Sequence, residues 1–176
     1  YDPLPLKYVN TPYGLVGRAQ GVRGRLTSAA YPRTDFGTPS WWDEFTNDHK
    51  LDNGELWNRG HLLASQNGGP GGTNWENMVP LPRSINDPLM KAFENALRRG
   101  PSVSKNTKMT LKNPYVINYS ITPVYPDDTS LAPSKLLIVA YSIDRERVFD
   151  MDIVVPCTPG STMKDVIINH QRGWYV

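Results

Sequence analysis

The residues of this chain that could carry out chemistry crowd into the 37 positions from Asn58 to Glu94. Asn58-Arg59-Gly60-His61 is followed by Asn74-Trp75-Glu76-Asn77-Met78-Val79-Pro80, then by Ser84-Ile85-Asn86 and by Phe93-Glu94. The set holds one histidine beside an arginine, several asparagines and glutamates, and no cysteine. It suits phosphodiester hydrolysis with a single hard cation better than a zinc site. Such hydrolysis needs a deprotonated water, charge neutralisation on the phosphoryl oxygens and help for the departing sugar oxygen. A histidine side chain, with an ordinary pKa of about 6.5, is mostly neutral and still basic near neutral pH. His61 is therefore the candidate general base. Mg²⁺, with Mn²⁺ as a substitute, keeps most of its waters, so one asparagine carbonyl oxygen plus phosphate oxygens can hold it.

These motifs resemble the DNA/RNA non-specific endonucleases of the ββα-metal superfamily, in particular bacterial secreted or toxin-type members. That family's signature is Asp-Arg-Gly-His, then Asn-(Met/Ile)-x-Pro-Gln and a metal-binding Asn. The first motif here is Asn58-Arg59-Gly60-His61 and the second Asn77-Met78-Val79-Pro80-Leu81, with Asn86 nine residues after Asn77 and Glu94 eight residues later. Asn74 matches an extra asparagine of streptococcal surface nucleases. Gly17-Arg18-Ala19 and Tyr119-Ser120-Ile121-Thr122-Pro123-Val124-Tyr125 match the outer segments more loosely, so the likeness spans residues 8 to 155. The resemblance implies that Asn86 holds the metal, that Asn77 and Glu94 orient its waters, and that Arg59 clamps a phosphate through its planar fork. Two positions depart from the pattern. Asn58 replaces the opening aspartate, keeping a carbonyl acceptor but losing a negative charge, and Leu81 replaces the glutamine after proline.

Each residue also has a structural alternative. His61 could be a satisfied core histidine, Arg59 could pair with a carboxylate, and Asn86 could be only a helix cap. Glu94 could sit on an ordinary exposed helix face, and Asn74 and Asn77 could bond loop backbone. His49 and His170 stand outside any motif and are expected at the surface.

The elements that must position these groups follow from pattern. Leu51 to Leu63 contains a polar turn, Asp52-Asn53-Gly54, and then Leu56 and Trp57, with Leu62 and Leu63 after the motif, so a strand ends at His61. Gln66-Asn67-Gly68-Gly69-Pro70-Gly71-Gly72-Thr73 is expected to be a mobile loop without regular structure. Asn86-Asp87-Pro88 starts a helix, with Leu89, Met90, Phe93 and Leu97 at three- and four-residue spacing and an end at Arg98-Arg99-Gly100-Pro101. Continuous helix from Asn86 would bring Glu94 roughly onto its side. Strands are expected over Leu15–Leu26, Tyr115–Val124, Leu136–Ile143 and Val148–Val155, the last two paired antiparallel, and a terminal helix over Thr162–His170. The whole, residues 1–176, reads as one α+β domain with a central, mainly antiparallel sheet and flanking helices, in line with the ββα-metal nuclease fold the motifs imply.

The net charge of +2 does not by itself announce a nucleic-acid binder. Its distribution says more. Between Arg83 and Lys112 lie seven basic residues (Arg83, Lys91, Arg98, Arg99, Lys105, Lys108 and Lys112) against Asp87 and Glu94. Such a patch can follow a phosphate backbone without reading bases, and Arg18, Arg23 and Arg25 are further phosphate candidates. The expected partners are DNA and RNA. The single Cys157 excludes an internal disulfide framework and a cysteine zinc site. No apolar stretch is long enough to cross a membrane. With Tyr1 at its head, the chain is expected to be a fragment or a processed product. An unselective nuclease endangers its producer, so the expectation is a secreted enzyme or a toxin domain delivered into a target cell, with an immunity or inhibitor protein. Two other classes compete: a catalytically impaired nucleic-acid-binding module of the same fold, and an interaction domain using Trp41-Trp42 and Trp174-Tyr175.

Overall fold

A computed structural model describes residues 2–26, 37–70, 72–99, 117–142 and 149–174, apart from the side chains of Gln66, Arg98 and Arg99. Its frame is a six-stranded antiparallel sheet in the order β1 (Asp2–Pro3), β4 (Val22–Arg25), β7 (Ile117–Val124), β8 (Lys135–Ser142), β9 (Asp150–Pro156), β10 (Ile167–Arg172). Along β7, β8 and β9 buried and half-buried positions alternate, as expected for strands with one face on a core. Ile121, Ile138 and Ile153 lie side by side across the three strands. Against this face pack Leu62, Leu63, Val79 and Leu81, and then Leu89, Met90, Phe93 and Leu97. Each such buried aliphatic or aromatic side chain contributes on the order of 1.5–3 kcal/mol.

Two smaller hairpins complete the sheets. Strand β2 (Lys7–Thr11) pairs with β3 (Gly14–Arg18), and β5 (Trp57–His61) pairs with β6 (Met78–Pro82). Helix α1 (Trp41–Asp48), which the sequence pattern did not announce, covers a second cluster of Val9, Val16, Phe45 and Leu131. Helix α2 (Lys91–Arg99) follows β6 through a helical turn.

Several expectations are revised. Leu15–Leu26 is two strands in different sheets, because the chain turns at Gly21, where φ is +138° and an added Cβ would come within 2.8 Å of the Ile121 carbonyl oxygen. The expected helix at Thr162–His170 shrinks to a single 3₁₀ turn, Met163–Asp165. Its cap does form, with Thr162 and Asp165 bonding reciprocally. Beyond it Ile167 and Ile168 pair with Val154 and Ile153, since the open edge of β9 offers backbone partners that β-branched residues fit well. Strands β8 and β9 are antiparallel as expected, while Ile143, Val148 and the residues between them lie outside the described residues. Trp174 is no contact surface. It is buried, meets Phe93 edge-on at 6.0 Å and donates its Nε1 hydrogen to the Asp150 carbonyl at 2.7 Å. Tyr175 lies outside the described residues.

Candidate active site

The hairpin β5–β6 carries the first motif, with His61 opposite Met78, Gly60 opposite Val79, Arg59 opposite Pro80 and Asn58 opposite Leu81. Alternation along a strand puts Arg59 and His61 on one face and Asn58 and Gly60 on the other. Glycine is required at position 60 by close approach. A Cβ there would collide with the Leu81 side chain and sit 3.1 Å from Asn86 Oδ1. The Asn86 amide thus lies against the Gly60 face of the strand, the face that Asn58 shares. No hydrogen bond within the described residues engages the Asn86 side chain, so its carbonyl oxygen stays available for a cation. Among the described residues no three His, Cys, Asp or Glu side chains gather to hold a metal. The donor set therefore fits a water-rich hard ion held by one amide oxygen, as Mg²⁺ is held in phosphate chemistry.

His61 Nε2 lies 2.9 Å from the carbonyl oxygen of Gly72. A carbonyl only accepts, so the proton sits on Nε2 and the lone pair on Nδ1. The imidazole is half-buried, and in its neutral form this contact leaves Nδ1 as the unprotonated nitrogen. Arg59, exposed, donates from Nη1 to Thr38 Oγ1 at 2.9 Å. Among the described residues no carboxylate forms an ion pair with it.

Asn77 is not a solvent-facing group. It is fully buried, its Oδ1 accepting from the Leu63 N–H and its Nδ2 donating to the Leu63 carbonyl, both at 2.9 Å. With both amide ends committed to backbone, it braces the chain leaving β5 against the turn entering β6. The water-orienting role implied for it gives way to a positioning one. Asn74 caps the 3₁₀ turn Trp75–Asn77 by accepting from the Glu76 N–H. Asn58 is half-buried, and its amide makes no hydrogen bond within the described residues.

The helix bearing the remaining candidates is broken. Asp87 is extended, at φ −146° and ψ 115°, so helical turns on either side of it are out of phase. Counting turns from Asn86 to Glu94 as one continuous helix therefore fails. Glu94 lies in the first turn of α2, half-buried, and its backbone carbonyl accepts from Asn67 Nδ2 at 3.0 Å. Asn67 belongs to the 3₁₀ turn Ser65–Asn67, so the glycine-rich loop is partly regular after all, folded tightly because Gly69 passes so close to the Leu63 carbonyl that no Cβ fits. Arg83 and Lys91 are exposed, Lys91 lying 3.4 Å from Asp87. The side chains of Arg98 and Arg99, and Lys105, Lys108 and Lys112, lie outside the described residues. Arg18 is withdrawn as a phosphate ligand. It is buried over the Tyr125 ring and donates to the Asp127 and Ser130 carbonyls. Arg23 and Arg25 remain exposed on β4, Arg23 paired with Asp2 at 3.2 Å.

Sequence reasoning missed three supports: Gly72 behind His61, Thr38 beside Arg59, and Glu55, whose carboxylate accepts from the Ser84 N–H and hydroxyl just ahead of Asn86. None carries a motif, since each acts through distant pairing.

Comparison with known proteins bears on the family and the fold. The family model described as DNA/RNA non-specific endonuclease matches residues 16–144. No curated protein matches the chain. Among solved structures, NucA from Streptococcus agalactiae with no metal bound is similar with a TM-score of 0.55 at 20% identity, covering 93% of this chain and 78% of that one. The same protein with magnesium ion bound is similar with a TM-score of 0.55 at 17% identity, covering 93% and 77%. These likenesses make the fold that of the ββα-metal nucleases. The chain belongs to the DNA/RNA non-specific endonuclease family.

Proposed function

We propose that this nuclease is a divalent-metal-dependent endonuclease that hydrolyses DNA and RNA with little sequence discrimination. The observation that carries the reading is the pairing of His61 Nε2 with the Gly72 carbonyl, which leaves Nδ1 as the base on a strand whose neighbouring Gly60 meets the Asn86 oxygen. Nδ1 takes a proton from the attacking water, and Arg59 steadies a phosphate from the same face of the hairpin. A cation bound at Asn86 would stabilise charge on the phosphoryl and leaving oxygens. Departure of the 3′ oxygen leaves 5′-phosphate ends. Mg²⁺ is the expected ion and Mn²⁺ its substitute, with Arg83, Lys91, Arg98 and Arg99 following the backbone of the substrate and Glu94 aiding the water shell. Contacts to phosphate carry no sequence information directly.

Incubation with circular DNA and with RNA, with and without a chelator, tests the reading. Near-random internal cutting that stops on chelation is expected; one discrete cleavage site counts against it. The departures at Asn58 and Leu81 favour a second reading, a binding module without turnover, which metal-dependent nicking eliminates. The biological setting we infer is a secreted enzyme or a delivered toxin domain countered by a dedicated inhibitor.

A further inference from the structure

The face of the hairpin that carries Arg59 and His61 runs directly into a group of tryptophans. Met78 and Pro80, the cross-strand partners of His61 and Arg59, line a cleft of about 200 Å³, its open mouth included, together with Trp41, Trp75, Arg18 and Tyr125. Directly opposed residues of a ladder have Cβ atoms about 4.5–5.5 Å apart, so the cleft begins one side chain away from the candidate base and phosphate clamp. Trp75 is also three residues from Gly72, the partner of His61 Nε2, which limits their Cα separation to about 11 Å. From the other side Thr38, the partner of Arg59, leads into α1 with Trp41 and Trp42.

Three indoles meet here. Trp41 and Trp75 have ring centroids 5.0 Å apart, Trp42 and Trp75 5.7 Å, and Trp41 and Trp42 5.9 Å. All three are half-buried. Trp41 packs on the second core cluster, whereas Trp42 and Trp75 belong to neither cluster. An independent observation comes from the residues that line the cleft. Arg18 Nε and Trp75 Nε1 are buried N–H donors without a partner, both on residues lining this cleft, and Arg18 is more than nine-tenths buried. Buried donors ordinarily find acceptors. Flat apolar indoles beside unspent donors match a nucleobase, which offers a π-face together with carbonyl and ring-nitrogen acceptors.

We propose that Trp41, Trp42 and Trp75 form a nucleobase subsite for an unstacked base of the strand being cut, so that the enzyme favours single-stranded over duplex nucleic acid. This rests on the nuclease reading above. A base within a duplex is already stacked on its neighbours, while a single strand is free to stack on aromatic side chains. The cleft itself admits only a group about the size of one water. The base therefore stacks on the indoles outside it and offers an exocyclic oxygen to the cleft.

The test uses the wild-type chain, Trp42→Leu and Trp75→Leu, each checked for folding by its urea midpoint. In chelator, tryptophan fluorescence is titrated with a short single-stranded oligodeoxynucleotide and, separately, with a duplex. With Mg²⁺, kcat/KM is measured on single-stranded circular DNA and on duplex plasmid. The single strand is expected to quench wild-type fluorescence more strongly than the duplex. In both variants the single-strand to duplex ratio of kcat/KM should fall about tenfold or more, through KM, as loss of one stacked base implies. Equal quenching by both probes, or variants that slow both substrates alike, overturns the proposal and leaves the indoles as packing. If neither substrate is cut, the nuclease reading fails by itself, and the chelator titration still decides the subsite.

Discussion

At the scale of single residues, His61 and Asn58 give the most direct tests. His61→Ala removes the Nδ1 base but no phosphate contact, so turnover should fall about 10²–10⁴-fold while DNA affinity in chelator stays near wild type. Full turnover in the alanine variant would reassign the base. Asn58 stands where the family carries aspartate, and its amide finds no hydrogen-bond partner within the described residues. The site thus gains nothing visible from a neutral amide, and Asn58→Asp, nearly isosteric, adds a negative charge close to Asn86. The variant should reach half-maximal rate at lower Mg²⁺. Cleavage rates against Mg²⁺ concentration for both proteins check this, and an unchanged or weaker metal dependence would sink the charge argument.

At the scale of elements, two braces set the hairpin and helix in place. Asn77 satisfies both backbone groups of buried Leu63, and Asn77→Ala would orphan a donor and an acceptor, costing about 1–3 kcal/mol for each. A lower urea midpoint is expected, with the metal titration of the remaining folded protein unchanged; a shifted metal titration at full stability would restore a water-orienting role. Glu55 holds Ser84 at the start of the segment bearing Asn86. Burial by itself would raise its pKa, but hydrogen bonds from Ser84, Asn53 and the Gly160 N–H outweigh that and hold it below 4.5. A carboxylate with a depressed folded pKa stabilises the fold above its unfolded value and loses that contribution as pH falls through the folded one. Glu55→Gln should therefore be less stable than wild type at neutral pH, and the gap in urea midpoint should close in acid. A gap independent of pH would remove the carboxylate from the account.

At the scale of the whole molecule, the end of the chain closes the structure. After β10 the chain turns back so that Trp174 is buried against Phe93 on α2, beside Glu94. Replacing a buried aromatic by alanine costs about 3–5 kcal/mol. Trp174→Ala should lower the unfolding free energy by that amount, read as a lower urea midpoint, and nuclease activity should fall at lower temperature than in wild type. A variant of unchanged stability would show that the tail is dispensable to the core.

What the sequence determined by itself was the family and the local elements that short-range rules govern. The spacing of His61, Asn77, Asn86 and Glu94 named the family. Alternation along β7, β8 and β9 and the three- and four-residue pattern of Leu89, Met90, Phe93 and Leu97 named the core faces, because periodicity is a property of neighbouring residues. The tertiary structure decided what depends on distant partners. Ile167–Arg172 became a strand because the edge of β9 was open, Arg18 turned inward because Tyr125 and two carbonyls received it, and Asn77 became a brace because Leu63 was buried beside it. The His61 ring was oriented in the same way, by the carbonyl of Gly72 eleven residues along the chain. Long-range hydrogen bonds and burial outweigh local propensity at such positions, since an unpaired buried polar group costs more than a propensity difference of a few tenths of a kcal/mol.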